Sequence, residues 1–254
     1  MGDRYGLHDV HHESLARLVE LVDGERSRHR TNRVGSQIAL TLPMRPLTTL
    51  IVTAVVLSGC ASGGGSVRVN QPTAAPPSAS IQALYEAGRD VEAVSRAASP
   101  AVRSEEIWFG AQSLLRMGQR AEASEQFRRL AETADSDGFK RAAEVARARL
   151  GGQPDALQVA QAAAAEYPSD AFVQFEAGMT MALQGDVGAG AQAFDAATSA
   201  SPAFAYAYYQ AGLAHSRLDR PDLTIARFET FIRLAPSAPE RSQVETILRT
   251  ARSR

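Results

Sequence analysis

The feature that most constrains this chain is that part of it repeats itself. The stretch from Ala171 to Phe204 overlays the stretch from Ala205 to Ala238 without a gap, at a shift of 34 residues. Gly178 falls on Gly212, Gly185 on Asp219, Phe194 on Phe228, Ala197 on Phe231 and Pro202 on Pro236. A fixed period of this length selects architectures in which one supersecondary unit is stacked several times. A mid-period glycine ends one helix in a left-handed turn, and the closing proline stops the next, so each period reads as two helices. One such hairpin cannot bury its own apolar stripe, and neighbours must stack on it in series. Composition agrees, since the chain is 44% hydrophobic but only 6% aromatic. Alanine supplies much of the difference, which favours closely approaching helices over a strand-built core.

The order small, turn, aromatic, small, proline resembles the tetratricopeptide repeat. In that pattern Gly178 and Gly212 let the second helix approach the first, and Phe194 and Phe228 fill the gap between hairpins. Upstream, the stretch from Ser104 keeps Ala111, Leu114, Gly118, Ala123 and Phe127 but lacks the closing proline. The stretch from Asp137 keeps Gly151, Ala156, Ala163 and Pro168 and places Glu144 where a small residue belongs. Residues 81 to 98, with Gly88 and Ala93, read as a degenerate first hairpin whose opening helix is short or missing. Beyond Pro236, Ser237 and Glu240 suggest a capping box, followed by Val244, Ile247, Leu248 and Ala251 at helical spacing. The resemblance thus implies an all-α fold over residues 81–254: a tetratricopeptide-like α-solenoid of four to five hairpins closed by a C-terminal capping helix.

In such repeats the second, fifth, ninth and twelfth positions of successive first helices line a concave groove. That register puts Trp108, Phe175 and Tyr209 at the fifth position, Phe172 and Tyr206 at the second, and Met179 and Leu213 at the ninth. The resemblance implies that this strip receives a protein or peptide ligand, to which rigid rings offer contact area at low entropic cost. The competing reading is that the same rings simply pack between helices. Arg116, Arg120, Arg128 and Arg129 are either contacts for an anionic peptide or part of a solvated helix face.

The N-terminal third is of another kind. Met44-Arg45-Pro46 precedes an apolar run from Leu47 to Leu57, about half of the ~20 residues a membrane-spanning helix needs. The run closes on Leu57-Ser58-Gly59-Cys60, which resembles the lipobox of bacterial lipoproteins, and Cys60 is the only cysteine of the chain. The resemblance implies cleavage before Cys60 and lipidation of its sulfur, two or three acyl chains giving stable anchoring where one does not. Ala61, rather than aspartate, leans toward the outer membrane, facing the periplasm. The expected divisions are an upstream segment (1–43), a signal peptide (44–59), a lipidated cysteine with a Gly-, Pro- and Ser-rich tether (60–80), and the repeats (81–254). The long upstream segment leaves two starts open, Met1 or Met44.

No enzyme motif emerges: no Gly-x-Ser-x-Gly elbow, no His-Glu-x-x-His, and no phosphate loop at the glycine cluster after Ser62. His8, His11, His12 and Glu13 are adjacent imidazoles and a carboxylate in a polar tail, so no metal site is expected from them, and no cofactor is expected anywhere. His215 is expected to be structural. A formal net charge of -1 speaks against nucleic acid as a partner. The expectation is a non-catalytic, membrane-tethered scaffold in the bacterial envelope, serving pilus, secretion or cell-wall machinery. The alternative is a structural subunit that docks through the outer face of the solenoid.

Overall fold

A computed structural model describes residues 79–253. The expectations for the upstream segment, the signal peptide, Cys60 and most of the tether lie outside them. Among the described residues every regular element is a helix. Three full hairpins follow the expected pairs: α3 (Ser104–Arg116) with α4 (Arg120–Thr133), α7 (Ala171–Leu183) with α8 (Val187–Ala200), and α9 (Ala205–Arg217) with α10 (Pro221–Leu234). Between the first two of these lie α5 (Asp137–Leu150) and α6 (Ala156–Glu166). The chain opens on α1 (Ile81–Glu86) and α2 (Asp90–Ala97) and closes on α11 (Arg241–Arg252). The first hairpin is indeed short, in both helices, with 6 residues in α1 and 8 in α2.

Local chemistry sets the boundaries. Ser80, Ser136, Asp170 and Asp186 each turn a side-chain oxygen onto a backbone N–H of the helix that follows, satisfying donors that have no intrahelical partner. Pro221 opens α10, where its missing N–H costs nothing. The turn inside each hairpin passes through a left-handed residue: Gly88, Gly118, Gly152, Gly185 and, at φ 52°, Asp219. Aspartate is one of the few residues with a side chain that tolerates this conformation, which explains how it substitutes for glycine in the last repeat.

Two expectations need correction. The third hairpin turns at Gly152 (φ 61°), not at Gly151, so its register begins one residue later, at Gly138. The small eighth position is then Val145, fully buried, while Glu144 faces solvent and pairs with Arg141. The turn that follows α5 is longer than the others and α6 is correspondingly shorter, which preserves the overall period. The second correction concerns α11, which Glu240 caps without any side-chain hydrogen bond to the helix. No capping box with Ser237 forms, because the Glu240 carboxylate is engaged elsewhere: it accepts from Tyr206 Oη at 2.7 Å. The helix still covers the last hairpin through Val244 and Leu248.

Each first helix packs on its own partner and on the hairpin before it, as a solenoid requires. The approach is closest at Gly178 and Gly212. A β-carbon there would lie 2.8 Å and 2.7 Å from the ring carbons of Phe194 and Phe228 respectively. These rings therefore fill the space within each hairpin rather than the gap between hairpins.

Candidate functional site

The expected groove residues all lie on the first helices: Trp108 on α3, Phe172, Phe175 and Met179 on α7, Tyr206, Tyr209 and Leu213 on α9. The structure brings them together but leaves almost none of them open. Trp108 is 0% exposed, Phe175 and Tyr206 2%, and Tyr209 1%. Met179 and Leu213 are also buried, and Phe172 is half-buried. The rings cover one another across the concave side. Trp108 meets Phe172, Phe175 and Phe204 edge-on at centroid distances of 5.1, 5.3 and 5.4 Å. Tyr206 packs on Phe231 and lies 4.5 Å from Tyr85 of the first hairpin. Edge-to-face pairs at these separations add to the stabilisation from burial itself.

Hairpins one and five thus touch, and the concave side is filled by the chain's own side chains. The cause lies in the third hairpin. The buried residues of α5 are Gly138, Ala142, Ala143, Val145, Ala146 and Ala148, none larger than valine. With so little bulk between them, α3 and α7 come near enough for their side chains to meet directly.

Two polar clusters sit among the rings, and neither was foreseen. In the first, Glu176 of α7, fully buried, accepts from Trp108 Nε1 at 3.0 Å, from Gln112 Nε2 at 2.6 Å and from Arg149 Nη2 at 2.5 Å. Burial pushes its carboxyl above the ordinary range, while Arg149, Trp108 and Gln112 pull it back. Glu176 looks in sequence like an ordinary solvated helix residue. Only the small inner face of α5, which lets Arg149 reach it, marks it as interior.

In the second cluster, Arg116 at the end of α3 forms a bidentate pair with Asp90, at 2.9 and 2.6 Å. It also donates to the backbone carbonyl of Tyr85 and, at 2.5 Å, to Tyr206 Oη. Burial holds the Tyr85, Tyr206 and Tyr209 hydroxyls well above the usual phenol range. The other candidate arginines are spent on the chain itself. Arg128 pairs with Glu125 and Glu132, Arg129 donates to the carbonyls of Ala97 and Ser99, and Arg120 reaches the carbonyl of Leu150.

His215, 1% exposed, shares a 2.9 Å hydrogen bond with Asp195, whose other oxygen accepts from Arg227 Nε at 2.9 Å. The trio ties α8, α9 and α10 together. Among the described residues no cluster of three or more His, Cys, Asp or Glu could hold a metal ion. No helix among them is long and apolar enough to cross a membrane.

No family model matches the chain. No curated protein matches it either. Solved structures do. A TPR protein, YrrB, described as having an unusual peptide-binding site, matches at 17% identity, with 68% of this chain and 89% of that one covered and a TM-score of 0.38. Two forms of MamA match at 15% and 16% identity, each over 61% of this chain and 92% and 91% of theirs, with TM-scores of 0.35. The fold itself rests on the chain's own geometry: paired helices that begin every 33 or 34 residues from Ser104 on, a small eighth residue in each full hairpin and a left-handed residue in each turn make the described region a tetratricopeptide-like α-solenoid.

Proposed function

We propose that this protein is a non-catalytic interaction scaffold, held by lipid on Cys60 at the outer membrane of a bacterial envelope and facing the periplasm. The observation that carries the scaffold reading is the serial stacking of hairpins under a terminal helix, which presents a continuous run of helix faces among the described residues. The lipid anchor rests on the sequence alone, on an apolar run that ends in the chain's single cysteine. Its partner is a protein or peptide belonging to the pilus, secretion or cell-wall machinery.

With the concave strip covered by its own rings, the burial pattern favours the outer face as the first point of contact, and so the docking-subunit reading over an open peptide groove. Detergent partitioning of the wild-type chain against Cys60→Ala tests the anchor. A cysteine variant that stays in the detergent phase refutes it. Affinity capture from membranes, repeated with charge reversals at the exposed Glu122 of α4 and Asp222 of α10 and with Phe172→Ala, separates the surfaces. Capture lost only with Phe172→Ala overturns outer-face docking.

A further inference from the structure

The guanidinium of Arg116 occupies a cage assembled from both ends of the solenoid. From the first hairpin come the Asp90 carboxylate, at 2.6 and 2.9 Å, the Tyr85 carbonyl, and the Tyr85 ring, 4.1 Å beneath the guanidinium carbon. From the last repeat come Tyr206 Oη at 2.5 Å, the Tyr206 ring at 5.4 Å, and the Glu240 carboxylate at 3.6 Å, in the turn before α11. Tyr206 also donates to the second oxygen of Glu240, which orients that carboxylate toward the cage. The side chains of Arg116, Asp90 and Glu240 are only 14–15% exposed. Beside the cage, Pro239 lies against the left-handed turn at Gly88.

This is the chemistry that recognises a planar cation: a fork of donors matched to a carboxylate, set against a pair of neighbouring aromatic rings. One positive charge is set between two negative ones, so without it the two carboxylates of opposite ends face each other across a half-dry gap. We propose that this guanidinium cage is the clasp that closes the solenoid, and that it gates access to the aromatic strip beneath it. Arg116 fills the cage in cis. Vacating it lets the ends part, and a free guanidinium restores the closed form. The inference rests on the scaffold reading only for what the gate controls, and its test requires no partner.

Trp108 is the only tryptophan of the chain and is fully buried in the closed form, so acrylamide quenching of its fluorescence reads closure alone. In the full-length chain, Arg116→Ala should keep its helical circular dichroism while quenching rises several-fold. Guanidinium chloride at low millimolar concentration should then restore shielding, and urea or tetramethylammonium chloride at equal concentration should not. Unchanged shielding in Arg116→Ala overturns the proposal, as does shielding that is lost and that guanidinium does not restore. If Arg116→Ala loses its helices, Glu240→Ala decides, because it removes one wall of the cage from a turn. Raised quenching with helices intact supports the clasp, and any other result in that variant overturns it.

Discussion

Gly212→Ala tests whether the hairpins are held by close approach or by helix propensity, because the two effects have opposite signs at this position. Alanine gains about 1 kcal/mol over glycine inside a helix. Against that, a β-carbon on Gly212 would sit 2.7 Å from two carbons of the Phe228 ring and 3.0 Å from a third. Phe228 has nowhere to swing: it is 0% exposed and backed by Tyr209 at 6.1 Å. Contacts this short put overpacking in the upper half of its range of about 1–3 kcal/mol, so after the propensity gain the net expectation is a loss of roughly 1–2 kcal/mol. For a domain of this size that is a fall in Tm on the order of 3–6 °C. Gly188→Ala is the matched control, since its new methyl group would meet only Asp186 Oδ1, at 3.8 Å in ordinary contact. That variant should gain up to about 1 kcal/mol from the same propensity term. Thermal and urea unfolding of both chains would measure the pair. A Gly212→Ala protein as stable as wild type would refute the argument that this glycine is a packing requirement.

Glu176→Ala should be the most damaging single truncation among the polar residues. It strands Arg149, whose side chain is 10% exposed, together with two buried donors, and breaking a buried pair in this way costs about 3–5 kcal/mol. Urea denaturation checks it, and a loss below about 1 kcal/mol, the worth of a surface pair, would contradict the placement. Alkaline pH provides a further test. Tyr85, Tyr206 and Tyr209 have their folded-state values raised by burial, so their contribution is complete below the unfolded phenol value of about 10 and is lost as pH climbs past it. Stability should therefore fall above about pH 10, and Tyr209→Phe should make that fall shallower; an equal slope in the variant would contradict the burial of that hydroxyl.

The periodic parts of this fold were legible because they are set by local rules. The 34-residue period, the left-handed turn at Gly185 and its aspartate replacement, and the covering helix through Val244 and Leu248 could all be read from residue types at fixed spacing. The residues of the aromatic strip all lie on first helices, as the register predicts. Their burial was not legible, because it depends on how far apart nonadjacent hairpins sit, and no single repeat encodes that distance. The missing signal was in the third hairpin, where a one-residue error at Gly151 hid that Ala142 and Ala146, not larger side chains, hold the fifth and ninth positions.

That account can be tested at Ala146, fully buried on α5, where no buried residue is larger than valine. If the small face of α5 sets the tight curvature, then Ala146→Leu inserts volume where α3 and α7 converge. Compensation by a local rotamer change is blocked on the α7 side, where Glu176 and Phe175 are buried and held by Arg149 and Trp108. The strain then has two outlets: overpacking of about 1–3 kcal/mol borne in place, or a widening that carries Trp108 away from Phe175 and Glu176. Bearing the strain in place lowers stability and leaves tryptophan shielded, whereas widening raises acrylamide quenching and lengthens the radius of gyration in solution scattering. We expect widening, because the contacts between nonadjacent hairpins are a handful of rings and two carboxylates, Glu176 and Glu240, while those within α5 and its flanking helices run along whole helix faces. An Ala146→Leu chain with unchanged stability, unchanged shielding and unchanged dimensions would show that the curvature is set elsewhere.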